Sequence, residues 1–127
     1  MADRINLSGD FRGSIVNIKS TLTNVQQSVG EIRTDDQAAR KELEKLIGQL
    51  SDALQKIPET SQEQAEAVAE TAKALVETAK AEKPNKVMVQ ISGESLKQAA
   101  KNLADVMPLV AVIAGQIVMT VSKLVGM

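Results

Sequence analysis

Histidine, cysteine, tryptophan and tyrosine are missing from this chain, and Phe11 is its one aromatic residue. Each absence excludes something. Without cysteine there is no disulfide framework, no thiolate metal site and no thiol nucleophile. Without histidine the usual base near neutral pH is gone, and so is the commonest nitrogen ligand for a metal. Without aromatics the core must be built from Leu, Ile, Val, Ala and Met, side chains that suit helix-on-helix packing. Clustered positive charge is lacking too. The net charge is −1, and residues 35–83 carry seven positive and eleven negative charges. An acidic middle between slightly basic ends argues against a nucleic-acid footprint, which wants grouped Lys and Arg. Met1-Ala2-Asp3-Arg4 leads into no apolar run, so no signal peptide is expected and cytoplasmic synthesis is the default.

Catalytic patterns are equally scarce. There is no Ser-x-x-Lys and no Gly-x-Ser-x-Gly. Gly93-Glu94-Ser95-Leu96-Lys97 lacks the second glycine and the Lys-Ser/Thr pair of a phosphate loop. Glu63, Glu66, Glu70 and Glu77 share a helix face, as the carboxylates of bundled di-metal sites do. Those sites also need Glu-x-x-His, and here Lys73 and Lys80 follow Glu70 and Glu77 by three residues. The face therefore reads as solvated and laced with ion pairs. No catalytic residue, no cofactor site and no metal site is assigned, and the expectation is a protein that is not an enzyme.

What the chain does have is an unusually sustained hydrophobic register. Ile15, Ile18, Leu22, Val25, Val29, Ile32, Asp36, Ala39, Leu43, Leu46, Leu50, Ala53 and Ile57 are spaced alternately by three and four residues. A strand would need period two. This seven-residue repeat argues for helix that buries a seam against other helices. Only Asp36 interrupts it, and it is either a helix cap or a polar residue that sets register. Before Thr34 the stripe is narrow and flanked by Ser, Thr, Asn and Gln; after Asp36 it widens as Ile47 and Leu54 join it, which predicts two packing neighbours. Thr34 and Gln37 have the spacing of a capping box. Residues 14–57 are thus either one helix, about 65 Å long at about 1.5 Å per residue, or two helices. The phase favours one helix; the cap favours a break or kink near Glu31–Asp35.

The other segments follow from punctuation and period. Residues 1–13 contain Asn6, Ser8, Gly9, Asp10 and Gly13 and read as a turn-rich lead, with Phe11 as a candidate anchor on the bundle or contact for a partner. Pro58 ends the helix before it. Thr60 and Glu63 offer a second capping box for a helix over 60–82, which is expected to fold back on the preceding helix as an antiparallel hairpin. Residues 83–93 read as a connector, in which the alternation of Val87, Val89 and Ile91 permits a short strand. A final apolar helix is expected over 94–125, on the register Leu96, Ala99, Leu103, Val106, Val110, Ile113, Ile117, Thr120 and Leu124.

Pro108 disturbs that last helix, since proline in a helix interior costs about 3 kcal/mol. A kink near Met107, or a fresh helix with Pro108 in its first turn, is expected. The 18 residues from Pro108 to Val125 contain one charge, Lys123. They would form about 27 Å of helix, just sufficient to span a bilayer core of about 30 Å, although Gly115, Gln116, Thr120 and Ser122 weaken that case. Leu109, Val110, Ile113, Ile117, Val121 and Leu124 are thus candidate contacts for a membrane or for an oligomer. A bundle this small has trouble hiding a helix on every side, and that favours self-association or a partner.

Residues 5–25, INLSGDFRGSIVNIKSTLTNV, resemble a segment of uncharacterised small helical proteins of cyanobacteria and similar bacteria. Some of those look like adaptor parts of signalling or conflict systems. The resemblance implies an adaptor-like role and transfers no catalytic group. Ile5-Asn6-Leu7-Ser8-Gly9 also resembles one unit of a pentapeptide repeat, but the pattern stops there.

The expected protein is all-α: an antiparallel helical hairpin or coiled-coil bundle with an apolar C-terminal helix, forming a single domain. Its expected role is a non-enzymatic interaction or self-assembly module acting through heptad seams. The partner would be a second copy of itself, giving a homo-oligomer, or another helical protein. The alternative is a membrane-active protein, an anchor or pore-forming effector, that inserts its last helix.

Overall fold

A computed structural model describes residues 2–127, with side chains described from Ile15 onward. Among the described residues five helices form: α1 Ala2–Val29, α2 Gln37–Leu54, α3 Gln62–Ala79, α4 Lys86–Lys101 and α5 Pro108–Leu124, with a 3-10 turn, Glu59–Ser61, ahead of α3. No strand occurs among the described residues. The protein is an all-α bundle. Around its perimeter the helices run α1, α2, α5, α4, α3 and back to α1, and α3 also touches α5 across the middle.

The long register is broken into two helices, and Asp36 is the reason. A carboxylate at a seam position cannot enter an apolar core without a partner. It leaves the helix instead and becomes the N-cap of α2, where its Oδ1 accepts from the Ala39 N–H at 2.9 Å. Thr34, expected to be the cap, instead accepts from the Asp36 N–H at 3.1 Å. Ile32 is buried within the break and carries the hydrophobic phase through it. Arg40 then ties the turn down: its Nη2 donates to the Ile32 carbonyl at 2.6 Å and to the Thr34 carbonyl at 3.2 Å.

Four further expectations are corrected. Residues 2–13, read as a turn-rich lead, are the first part of α1. The second capping box does not form: α3 starts at Gln62, and Ser61 at its N-cap makes no side-chain cap hydrogen bond. Gln62 reaches back instead, its Nε2 donating to the Ile57 carbonyl at 2.8 Å. The expected hairpin of α2 with α3 is replaced by another pairing, in which α3 packs on α1 and α4, and α2 on α1 and α5. Pro58 is extended and the 3-10 turn follows it, and the chain crosses the bundle, so that α3 runs back on the far side from α2 rather than against it. The wide stripe of α2 does meet two neighbours, as its width implied.

Residues 83–93 are the fourth correction, because most of this connector is helix. Asn85 caps α4, its Oδ1 accepting from the Val87 and Met88 N–H groups at 2.9 and 3.1 Å. A cap that satisfies two orphan donors outweighs a short β-like alternation. Only Val89 of the alternating trio is buried. The C-terminal register is therefore divided as well. α4 ends at Lys101, a turn follows, and Pro108 opens α5 at a position where its missing N–H costs nothing. Gly93 is buried where α4 meets α5; a Cβ there would stand 3.0 Å from Val118 Cγ1.

Candidate functional site

The seam residues form the centre of the bundle. Ile18, Leu22, Val25, Val29 and Ile32 are buried, and so are Leu43, Leu46, Leu50 and Ile57; Ile15 is half-buried. The neighbours that cover them are helices of the same chain. The seam expected to meet another chain is thus closed within one. Phe11, the candidate anchor, lies outside the residues whose side chains are described.

The C-terminal candidates divide differently. Val110, Ile113, Ile117, Val121 and Leu124 are buried, whereas Leu109 is 53% exposed. Beside Leu109 the structure leaves Val112 55% and Met119 72% exposed. Gln116 and Lys123 are exposed between and after them. Positions 109, 112, 116, 119 and 123 alternate by three and four, so they share one face. α5 therefore carries two stripes: one faces the core and one faces solvent. The sequence signal for the second was present in the same spacing, but it was submerged in a helix that read as apolar all round. No helix among the described residues is long and apolar enough to cross a membrane.

Two concavities flank these helices. A groove of about 380 Å³ between α2 and α5 is lined by Gln49, Asp52, Ala53, Lys56, Met107, Leu109 and Ile113. It borders the outward stripe of α5 at Leu109. A smaller cleft of about 230 Å³ lies between α1 and α3, where Asn17, Ser20, Thr21 and Asn24 face Glu66 and Glu70. Ile18 and Ala69 complete its lining, and no nucleophile is paired with a base there.

The acidic face of α3 is largely solvated. Glu63, Glu70 and Glu77 are exposed, and no three carboxylates among the described residues come together to hold a metal ion. Lys80 pairs with Glu77 at 3.3 Å and, across to the turn after α1, with Glu31 at 3.0 Å. The hydrogen bond that Lys80 donates to Glu31, and then that to Glu77, hold the Lys80 pKa above the ordinary lysine value. The Glu31 contact joins residues far apart in sequence, so periodicity could not reveal it. Lys123 stands 3.9 Å from Asp36 with its side chain 71% exposed, a loose pair at the edge of the apolar stripe.

Comparison with known protein families, curated proteins and solved structures finds no match for this chain.

Proposed function

We propose that the protein is a non-enzymatic interaction and assembly module whose contact surface is the outward stripe of α5. One observation carries this reading: three large apolar side chains, Leu109, Val112 and Met119, stand more than half exposed on a single helix face. Scattered apolar residues on a surface are ordinary; an aligned row marks a surface that another body covers. α5 holds one charged residue, Lys123, and no carboxylate. The groove beside Leu109 extends the apolar surface toward α2. The resemblance of residues 5–25 to adaptor-like proteins accords with a binding role.

A photo-crosslinking residue at position 112, compared with one at the exposed position 41 on α2, tests this in the cells that make the protein. A discrete adduct from 112 and none from 41 is expected. Equal labelling from both, or none from either, contradicts the reading. The competing reading is a membrane-active protein that lays or inserts this helix in a bilayer. It predicts flotation with anionic vesicles and protease protection of the C-terminal helix, where an interaction module stays in the aqueous fraction.

A further inference from the structure

The flank of α4 that lies beside α5 is basic. Gly93 marks that flank, because a Cβ on it would stand 3.0 Å from Val118 of α5. Lys86, Gln90, Lys97 and Lys101 are spaced by four, seven and four residues around Gly93, which puts all of them on its side of α4. All four are exposed. Lys97 stands 3.8 Å from Glu94, a loose pair, and no ion pair among the described residues uses Lys86 or Lys101.

α5 answers with small and apolar groups. Ala111, Gly115 and Ser122 share the side of Val118 and are half-buried. A Cβ on Gly115 would meet nothing within 4 Å, so the space above it is open. Val112 and Met119, the most exposed apolar residues of α5, lie one residue on from Ala111 and Val118 and form its outer crest. Between the two helices runs a shallow trough, with lysines along the α4 side, a small-residue floor and an apolar crest on the α5 side.

Resting on the proposed contact surface of α5, we infer that its partner is an acidic amphipathic helix lying in this trough. Its carboxylates face Lys86, Lys97 and Lys101, and its apolar side chains face Val112 and Met119. Charge selects this occupant. Residues 84–127 carry four positive and two negative charges, whereas residues 35–83 carry seven and eleven. An acidic partner is thus drawn to the α4–α5 side and repelled elsewhere, which fixes where it docks. Shape selects a helix, because the channel between two packed helices receives the ridge of a third, and the glycine lets it come close. α4 has 16 residues, about 24 Å, so a partner helix of equal length reaches every lysine of the row. The contact is smaller than the roughly 800 Å² that each partner gives to a stable interface, and it is therefore reversible.

An anionic bilayer also favours lysines beside apolar side chains. A flat surface would rest on the crests and not in the trough. The crest of α4 is the row Val87, Ile91, Glu94 and Gln98, and the Glu94 carboxylate repels anionic headgroups.

Fluorescence anisotropy on the full chain tests the inference with two synthetic helices as long as α4. They share one Leu and Ala face and differ in the flank beside it, Glu in one and Lys in the other. The Glu helix is expected to bind at least about tenfold more tightly, and less tightly as salt is raised. Lys86→Glu with Lys97→Glu should reverse the preference while the helical circular dichroism is unchanged, since both side chains are exposed. Met119→Glu should weaken binding of the Glu helix. Equal binding of the two helices, binding of neither, or a preference that the charge exchange does not move overturns the inference. So does binding to vesicles of phosphatidylserine and phosphatidylcholine by a protein that ignores the Glu helix, which would assign the surface to lipid.

The crosslinker at position 112 separates this inference from the reading beneath it. An adduct that is lost with Lys86→Glu and Lys97→Glu supports both. An adduct that persists leaves the contact surface standing and overturns the acidic partner. No adduct from 112 in the otherwise unaltered chain overturns the contact surface and the inference together.

Discussion

The two halves of the bundle use the same spacing to different ends. In α1 and α2, the three-four register is buried and the remaining faces are Ser, Asn, Gln and charged residues, with Val16 the one large apolar side chain left outside among those described. In α4 and α5, the register is also buried, but Val87, Met88 and Ile91 on one helix and Leu109, Val112 and Met119 on the other remain exposed. A heptad seam by itself does not say whether it joins helices within a chain or between chains. What separates the cases is what lies on the opposite face. The N-terminal half has a polar back and needs no further cover. The C-terminal half has an apolar back.

The comparison breaks most sharply at matched apolar positions. Leu50 is fully buried. Leu50→Ala is expected to cost about 2–5 kcal/mol, from lost transfer energy and the cavity left behind. Met119→Ala, on the outward face of α5, should change monomer stability by no more than about 0.5 kcal/mol. Thermal unfolding of both variants at low protein concentration checks the contrast. Similar losses would mean that the outward stripe is core.

The two glycines of the C-terminal hairpin give the next largest contrast. Gly93→Ala forces a Cβ against Val118 and should destabilise by about 1–3 kcal/mol. Gly115→Ala enters open space in a helix interior and should stabilise the monomer by up to about 1 kcal/mol. Opposite signs in chemical denaturation are the expected result. A smaller effect is expected at the break between α1 and α2. Asp36→Ala removes the α2 cap and should cost about 1 kcal/mol, whereas Asp36→Asn should retain most of the stability. If Asp36 instead set register from within a seam, both replacements would behave alike.

Much of this architecture was legible in the sequence, and the misses share a cause. Helix type, the core positions of α2 and the two-neighbour width of its stripe all follow from local period. The break near Thr34 was visible, although Asp36 rather than Thr34 holds the cap. What local period could not show is topology: α3 leaves α2 for α1 and α4 because Pro58 and the 3-10 turn redirect the chain. Nor could it show that a capping Asn85 turns an alternating Val87–Ile91 into helix. The candidate surface was half legible. Leu109 was named among the apolar residues of the last helix, but Val112, Gln116, Met119 and Lys123 emerge as one face only when the inward residues of α5 have been assigned to the core.

The smallest expected effect concerns Lys80, which joins the turn after α1 to the end of α3. Its pKa is raised by Glu31 and Glu77. The folded protein thus holds that proton more tightly than the unfolded chain does. The stabilisation is fully present below the ordinary lysine pKa and is lost as pH rises through the raised value. The melting temperatures of the protein and of Lys80→Gln should differ by a constant small amount through neutral pH and converge only in strong alkali. Convergence near neutrality would contradict the pairing.

Because the chain contains no cysteine, the central claim can be tested with one matched pair of valines. Val25 lies in the inner seam of α1, 2% exposed, and Val112 in the outward stripe of α5, 55% exposed. Thiol modification of Val25→Cys and Val112→Cys, each as the only cysteine and at low micromolar protein, reads the two positions directly. The cysteine at 112 is expected to react at nearly the rate of a free thiol, and the one at 25 to be protected until the protein unfolds. Fast reaction at 25 with protection at 112 would show that the long seam opens outward and that the stripe on α5 is core.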